Sequence, residues 1–329
     1  MGVKNLRGPE LRRDVQMRQE WAPILAFCVA SSSLLVLNKL CLGHAPLPST
    51  FSTVQFMCTV AWCVSLHMRG KTRIELSPAR MKAYVIYVVI FSGAIYTNMR
   101  SLSLLSVETI IVVRSCCPLL VATMECLMLG QPPPSLRTVC ALLSLFGFAI
   151  GYAHAEANGG DALGWSSSWG WLLAYYVLIC LSDSYGKVVV SRLQWGSMWG
   201  PVAYSNGLSI PPMLATAAFA GELNSLYDGT ALGAGTTWRA ASLPIALSCV
   251  AAISISFFGW RCRQLCSATG FTILGVVNKL FSTIASAFLT DRPLTIQGAA
   301  CLVGCLCSAA LYQPRAGPSG KDVKSGKSM

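Results

Sequence analysis

The chain has 329 residues, of which 54% are hydrophobic and only 12% are charged, and its mean hydropathy is +0.56. Soluble domains carry about 25% charged residues, so this composition excludes a soluble globular protein and predicts an all-α integral membrane protein embedded in a lipid bilayer. The net charge of +12 is compatible with a nucleic-acid-binding protein. The distribution of the basic residues, described below, argues against that function.

Apolar stretches of about 20 residues, each long enough to cross a ~30 Å hydrocarbon core, recur along the whole chain. They predict ten transmembrane helices, at roughly 22–42, 49–68, 82–99, 104–129, 135–153, 168–190, 200–220, 240–260, 267–290 and 294–312. Residues 1–20 then form a cytosolic N-terminal tail, residues 21–312 the ten-span domain, and residues 313–329 a disordered cytosolic tail. The N-terminal tail contains acidic residues, which argues against a transit peptide.

Basic residues are distributed unequally between the two sides of the predicted membrane. With the N-terminus in the cytosol, nineteen Lys and Arg residues lie in cytosolic tails and loops or at the cytosolic ends of spans, and three lie on the opposite side. Three more lie inside the spans, namely Lys39, Arg114 and Lys279. Cytosolic loops of membrane proteins carry an excess of Lys and Arg, so membrane topology explains most of the charge and no nucleic-acid partner is expected. Both termini are predicted to be cytosolic.

Ten spans with short loops suggest two halves of five, at about 21–153 and 168–312. An odd number of spans in each half makes the two repeats inverted in the membrane, and carriers built in this way hold their solute near the bilayer midplane. Spans four and nine support this interpretation, because each has a cation near its middle, Arg114 or Lys279, and a proline just after its end. Chance similarity between two apolar helices is the alternative.

Lys279 lies near the middle of the apolar ninth span. A charge at the centre of a membrane helix costs ~2.5–3.5 kcal/mol on insertion scales, and no acidic residue lies within two turns of Lys279 on the same helix. An anionic solute would therefore be a fitting partner. Three residues share its helical face: Phe271, Gly275 and Asn278. The structural alternative is an ion pair with Asp183 or Glu125 of another span.

Span four supplies a second candidate for anion binding, Arg114, because a guanidinium can bind a phosphate through two parallel hydrogen bonds. The structural alternative is an ion pair with Glu108. Span one contains Asn38 and Lys39 near its lumenal end, where the lysine either contacts a substrate or extends to the interface.

Span seven combines polar residues with residues that loosen a helix. Pro201, Gly207 and Pro211 predict a loosened backbone, which is tolerated at membrane depth where neighbours or water satisfy the freed groups. The polar residues of this span are Tyr204, Ser205, Asn206 and Ser209. An Asn amide can hydrogen-bond the edge of a purine, and the tyrosine can stack on a base or hydrogen-bond. A contact between helices through Ser and Asn is the structural alternative.

Metal, cofactor and enzyme chemistry are not indicated. The fifteen cysteines lie nearly all inside the spans, and none has a histidine placed to complete a zinc site, so they are interpreted as packing residues. The three histidines are far apart, and the sequence shows no Ser-His-Asp grouping and no phosphate-binding glycine loop. We therefore expect no metal, no cofactor and no catalytic activity. A membrane scaffold or enzyme is the alternative from a different class.

Two segments resemble the motifs of a known family. Gly275-Val276-Val277-Asn278-Lys279 is similar to the G-A-L-N-K motif of the nucleotide-sugar transporters of the drug/metabolite transporter superfamily, in the GDP-mannose (GDP-sugar) branch. Ala203-Tyr204-Ser205-Asn206 with the following Leu208-Ser209-Ile210-Pro211 is similar to F-Y-N-N and L-S-I-P. Arg114 and the pair Asn38-Lys39 match further positions of that family. Ala203 and Ser205 depart from the second motif.

The resemblance implies ten spans and a Golgi antiporter that imports a GDP-sugar, GDP-mannose in the first place, in exchange for GMP. It implies that the span-seven motif contacts guanine and that the span-nine motif contacts ribose, phosphate and sugar. The departures at Ala203 and Ser205 change half of the implied guanine-binding motif. A sister carrier for another nucleotide sugar or a sugar phosphate is the alternative within the same fold, and the sequence leaves open whether two copies form a homodimer.

Overall fold

The computed structural model describes the backbone of residues 7–74, 77–105, 107–157, 167–193, 195–233, 237–289 and 296–311. Within these ranges it describes the side chains except at 7–20, 107–109, 111–112, 129, 152–157, 167–169, 279–289 and 302. All regular secondary structure in these ranges is α-helical, as the composition predicts. The predicted disordered tail, 313–329, lies outside the described residues.

The described chain contains eleven helices, in the order α1 Arg7–His44, α2 Pro48–Met68, α3 Pro78–Leu104, α4 Val107–Leu129, α5 Leu136–Ala157, α6 Ser167–Arg192, α7 Trp199–Phe219, α8 Glu222–Tyr227, α9 Trp238–Leu265, α10 Ala268–Leu289 and α11 Ile296–Leu311. Ten of them overlap the ten predicted spans, and the short α8 follows span seven. Five segments of the described chain are long and apolar enough to cross a membrane: Trp21–His44, Pro48–Met68, Pro78–Leu104, Gly170–Arg192 and Trp238–Leu265. The all-helical membrane class is confirmed, and ten crossings remain a prediction.

Proline and glycine define several helix ends. Helices α2 and α3 have Pro48 and Pro78 at their first positions, where a missing N–H is harmless because that group has no partner inside a helix. Between α7 and α8 the chain turns at Gly221, whose φ of 73° lies in the left-handed region that favours glycine.

The predicted loosening of span seven does not interrupt its helix. Helix α7 is continuous from Trp199 to Phe219, although Pro211 and Pro212 lie inside it. Proline removes one hydrogen-bond donor but has a φ close to the helical value, so the backbone can continue past it. The polar residues of the span therefore lie on one regular helix.

The helices form two compact units, which mix segments from distant parts of the chain. Unit 1 comprises Met1–Leu105 and Val189–Leu265, and unit 2 comprises Ser106–Val188 and Cys266–Met329. In unit 1, α1 packs along α9, and α7 packs along both α2 and α3. In unit 2, α11 packs along α5, and α4 packs along both α10 and α5. Each unit thus takes helices from both predicted halves, 21–153 and 168–312, and an internal repeat of those halves remains a prediction.

Small residues allow close packing of α5 and α11 in unit 2. A Cβ atom at Gly304 would stand 2.5 Å from the ring of Phe148, and one at Gly151 would stand 3.0 Å from Sγ of Cys301. Membrane helices commonly associate through such residues. Gly147 lies four residues before Gly151 on α5, but no atom of another element lies within 4 Å of its ideal Cβ position.

Candidate functional site

In unit 2, the cation of span four lies against the glycine of the span-nine motif. The ideal Cβ position of Gly275 on α10 is 3.4 Å from Nη2 and 3.5 Å from Nε of Arg114 on α4. A Cβ atom at position 275 would already be in van der Waals contact with the guanidinium and would leave no room for a longer side chain, so the glycine lets Arg114 lie directly against the backbone of α10. The structure therefore brings together two of the residues that the sequence singled out separately.

A tyrosine that the sequence analysis missed orients this guanidinium. Nη1 of Arg114 donates a hydrogen bond of 2.8 Å to the hydroxyl of Tyr175 on α6. Asp183, buried on the same helix, adds a favourable electrostatic interaction with the arginine. An arginine has five N–H donors, and its Nε–H has no hydrogen-bond partner among the described residues. The arrangement holds a cation in place and leaves it donor capacity for an anion.

The other residues of the span-nine motif lie on the same helix. Phe271 and Asn278 on α10 are both buried. Lys279 belongs to α10 by its backbone, but its side chain lies outside the described part of the chain. The same holds for Glu108, the alternative partner of Arg114, so that pairing cannot be compared with the structure.

Glu125, one of the alternative partners of Lys279 considered above, contacts the start of α10. The carboxylate of Glu125 accepts hydrogen bonds from the backbone N–H groups of Ala268 and Thr269 at 2.9 and 3.2 Å. Just before α10, the carbonyl oxygen of Cys266 accepts a hydrogen bond of 2.6 Å from Lys187 on α6. These contacts give Glu125 a structural partner within its own unit.

In unit 1, the polar residues of the span-seven motif are buried and already hydrogen-bonded. Ser205, 1% exposed, donates to the carbonyl of Pro201 at 2.8 Å and accepts from the indole N–H of Trp260 at 3.2 Å. Ser209 donates to the carbonyl of Ser205 at 2.6 Å, and the hydroxyl of Tyr204 accepts from the backbone N–H of Ser77 at 2.7 Å. These hydroxyl groups stabilise α7 and its neighbours.

Asn206 keeps more hydrogen-bonding capacity than the serines. Its Nδ2 donates to the carbonyl of Val202 at 2.9 Å, whereas its Oδ1 accepts only a long contact of 3.5 Å from the hydroxyl of Ser256 among the described residues. A contact of that length is weak. The buried Asn206 thus has a side-chain oxygen without a short hydrogen bond among the described residues.

Aromatic rings surround the span-seven motif in unit 1. The ring of the fully buried Tyr84 lies 5.4 Å from that of Tyr204, 5.9 Å from that of Trp260 and 6.0 Å from that of Trp195. Arg263, assigned by the sequence to a cytosolic loop, is buried beside this cluster and donates to the hydroxyl of Tyr87 at 3.3 Å. Its burial could not be foreseen, because it follows from where α9 packs.

Asn38 and Lys39 of span one make contacts within unit 1. Nζ of Lys39 donates to the backbone carbonyls of Leu102 and Leu105 at 2.7 and 3.2 Å, at the C-terminus of α3, where a cation is favoured. Oδ1 of Asn38 accepts from Gln55 at 2.8 Å. Lys39 thus bonds to the end of a neighbouring helix, which is neither of the two arrangements predicted for it, and a substrate contact for these two residues remains a prediction.

Apolar helices long enough to cross a membrane, with a cation inside one of them, are typical of membrane proteins that conduct or carry polar solutes. The family model described as Triose-phosphate Transporter family matches residues 23–157. The GDP-mannose transporter GONST3 of Arabidopsis thaliana is 30% identical over 94% of this chain and 83% of its own length. GDP-fucose transporter 1 of the same plant is 31% identical over 88% of this chain and 84% of its own length.

A more distant relative is also named as a GDP-sugar transporter. A GDP-mannose transporter of Aspergillus niger is 22% identical over 88% of this chain and 78% of its own length. One crystal structure of a protein with 15% identity superposes with a TM-score of 0.64 over 88% of this chain and 98% of the other, which supports the fold alone. The chain belongs to the nucleotide-sugar transporter family of the drug/metabolite transporter superfamily and resembles its GDP-sugar branch.

Proposed function

We propose that the chain is an antiporter that exchanges a GDP-sugar, GDP-mannose in the first place, for GMP across the Golgi membrane by alternating access, without altering its substrates chemically. The observation that carries the proposal is the guanidinium of Arg114 held against Gly275 of the span-nine motif. It occurs in a chain whose relatives over most of their length are named as GDP-mannose and GDP-fucose transporters. The part common to those substrates is the guanosine diphosphate.

The span-nine and span-seven motifs contribute different chemistries to this proposal. Arg114 and Lys279 meet the negative charge of the phosphates, and Asn278 offers an amide to the ribose or sugar hydroxyls. Asn206 contacts the guanine through its carbonyl oxygen, whereas Ser205 is already hydrogen-bonded to Pro201 and Trp260. We therefore propose that Ser205 stabilises the motif and does not hydrogen-bond the base.

Strict exchange follows from the same charges. A site that holds cations is costly to bury in a dry state without a counter-ion, so the empty carrier should change orientation slowly. A bound nucleotide neutralises the site and lets the carrier change its orientation. Import of a GDP-sugar is then coupled to export of GMP.

A sugar phosphate is the second candidate substrate. The family model that matches residues 23–157 is described as Triose-phosphate Transporter family. An arginine beside a glycine would bind a phosphate in either substrate. The base distinguishes the two, because only a nucleotide sugar offers Asn206 the edge of a base.

Reconstitution into liposomes tests the assignment. Vesicles that contain the purified protein and are loaded with GMP should take up GDP-mannose, and external GMP should compete better than AMP or UMP. Loss of one polar contact of the base is typically worth about 0.5–1.5 kcal/mol, so Asn206→Ala should reduce the preference for GMP roughly two- to twelvefold. Stronger competition by UMP would favour another nucleotide sugar, and uptake of triose phosphate but not of GDP-mannose would favour the second candidate.

We further propose ten membrane crossings in two inverted repeats. The packing within the units supports this arrangement: α2 packs along α7, α4 along α10 and α5 along α11. In the order of the predicted spans these are pairs two and seven, four and nine, and five and ten. Each pair joins helices at equivalent positions of two five-span halves.

Ten crossings place both termini on the cytosolic side of the Golgi membrane, as the nineteen-to-three distribution of basic residues predicts. An epitope tag at either end should be digested by protease added to sealed Golgi vesicles. A tag inserted in the loop between α7 and α9 should be digested only after detergent is added. Protection of either terminal tag in sealed vesicles would refute the ten-span topology.

A further inference from the structure

We propose that Glu125 is a positioning residue for the substrate-binding helix α10: its buried carboxylate sets the register of α10 against α4, so that Gly275 faces Arg114. This inference deepens the proposed function and rests on it, because it assumes that the span-nine motif contacts the substrate. The carboxylate itself touches no substrate in this proposal.

The first step is that Glu125 satisfies the start of α10. The N–H groups at the start of a helix have no partner inside it. At α10 the N–H groups of Ala268 and Thr269 donate to the two oxygens of Glu125, and that of Gly270 donates to the hydroxyl of Ser267 at 3.0 Å. The hydroxyl of Thr269 donates to the same oxygen of Glu125 as its own N–H group. All three amides thus have a protein partner.

Because Glu125 occupies the start of α10, we do not expect the substrate phosphate to bind there. Helix N-termini often bind anionic ligands, because the unpaired N–H groups and the helix dipole favour negative charge. At α10 the carboxylate of Glu125, which is 2% exposed, takes that place. The phosphates are therefore left to side chains further along α10 and to Arg114.

The second step is that Glu125 and Arg114, both on α4, contact α10 at two different levels along its axis. The residues are eleven positions apart on α4 (125 − 114), about 16 Å at the helical rise of 1.5 Å per residue. Glu125 contacts the first turn of α10, and Arg114 lies against Gly275. If α10 shifted by one residue in register, about 1.5 Å along its axis and 100° around it, Leu274 or Val276 would take the place of Gly275 beside the guanidinium. The carboxylate contact opposes that shift.

A matching contact in unit 1 provides an internal control. Glu222, 5% exposed on α8, accepts from the N–H groups of Ser49 and Thr50 at 3.1 and 2.8 Å and from the Thr50 hydroxyl at 2.8 Å, at the start of α2. Here too, threonine donates its N–H and its hydroxyl to one carboxylate oxygen. The chemistry equals that of Glu125, but α2 carries none of the predicted substrate contacts.

The test compares Glu125→Gln with Glu222→Gln in the full-length protein. Glutamine keeps the size of the side chain but turns one acceptor into a donor that faces an N–H group. Both variants should melt at a lower temperature, and the Glu125 variant should show faster amide hydrogen exchange in residues 266–274. In GMP-loaded liposomes, Glu125→Gln should raise the KM for GDP-mannose about five- to tenfold, in line with the loss of a helix cap and its charge. Glu222→Gln should change KM less than about twofold, because the helix that it holds carries none of the predicted substrate contacts.

Thr269→Val, with Thr50→Val as its control, gives a milder version of the same comparison if Glu125→Gln does not fold. An equal KM shift in both members of a pair would reduce Glu125 to a purely structural role and overturn the inference. Unchanged KM with faster amide exchange at 266–274 would overturn it as well. Wild-type liposomes that exchange no GDP-sugar would instead refute the proposed function, and the amide-exchange comparison would still decide whether Glu125 holds α10.

Discussion

Replacing Lys279 with alanine is expected to abolish exchange of GDP-mannose for GMP. The lysine lies in the described helix α10, one position after the buried Asn278. Truncating one partner of a buried, hydrogen-bonded charge pair costs ~2–5 kcal/mol, which corresponds to a loss of roughly thirty- to several-thousandfold. Initial uptake rates in GMP-loaded liposomes, at matched protein content, measure the effect.

The same variant should fold and reach its membrane normally. Removal of a cation from the middle of a membrane helix eases insertion by ~2.5–3.5 kcal/mol, so expression and gel-filtration behaviour should not suffer. Arg137→Ala is a suitable control, because this arginine is exposed near the start of α5. Substantial exchange by well-folded Lys279→Ala protein would show that the lysine is structural and would remove it from the site.

Replacing Arg114 with alanine is expected to have the second-largest effect. The substitution removes the guanidinium that contacts Gly275 and Tyr175, so both KM and maximal rate should deteriorate, again within ~2–5 kcal/mol. Arg114→Lys should stay partly active, because it keeps the charge but loses the planar fork that binds a phosphate bidentately. Tyr175→Phe removes only the orienting hydrogen bond, worth ~0.5–1.5 kcal/mol. Wild-type exchange by Arg114→Ala would exclude the arginine from the site.

Gly275→Val separates the position of the guanidinium from its charge. The Cβ of the new side chain would already lie in van der Waals contact, 3.4 Å from Nη2 of Arg114, so its two methyl groups should displace the guanidinium. We expect a higher KM for GDP-mannose with the charge intact. Gly147→Val is the matched control, since its ideal Cβ position has no neighbour within 4 Å. The same KM in both variants would mean that the glycine does not set the position of Arg114.

The sequence by itself determined the class of this protein and the approximate place of its helices. Hydropathy and the frequency of charged residues are local properties, and a segment that must satisfy its own backbone in lipid has to be helical. For the same reason Arg114 and the segment around Gly275 and Asn278 could be singled out: a cation or an amide inside an apolar run is visible without any knowledge of packing.

Only the tertiary structure showed which distant residues meet. Lipid-facing helices have no hydrophobic driving force that selects a partner, so periodicity does not reveal that α4 packs along α10 or that each compact unit combines both halves of the chain. Partner choice depends on small residues and single polar contacts. Tyr175 beside Arg114 and Glu125 at the start of α10 are separated from their partners by 61 and 143 positions in the chain. Such contacts exist only once the helices have packed, which is why the sequence could indicate the arginine but not the groups that hold it and its helix in place.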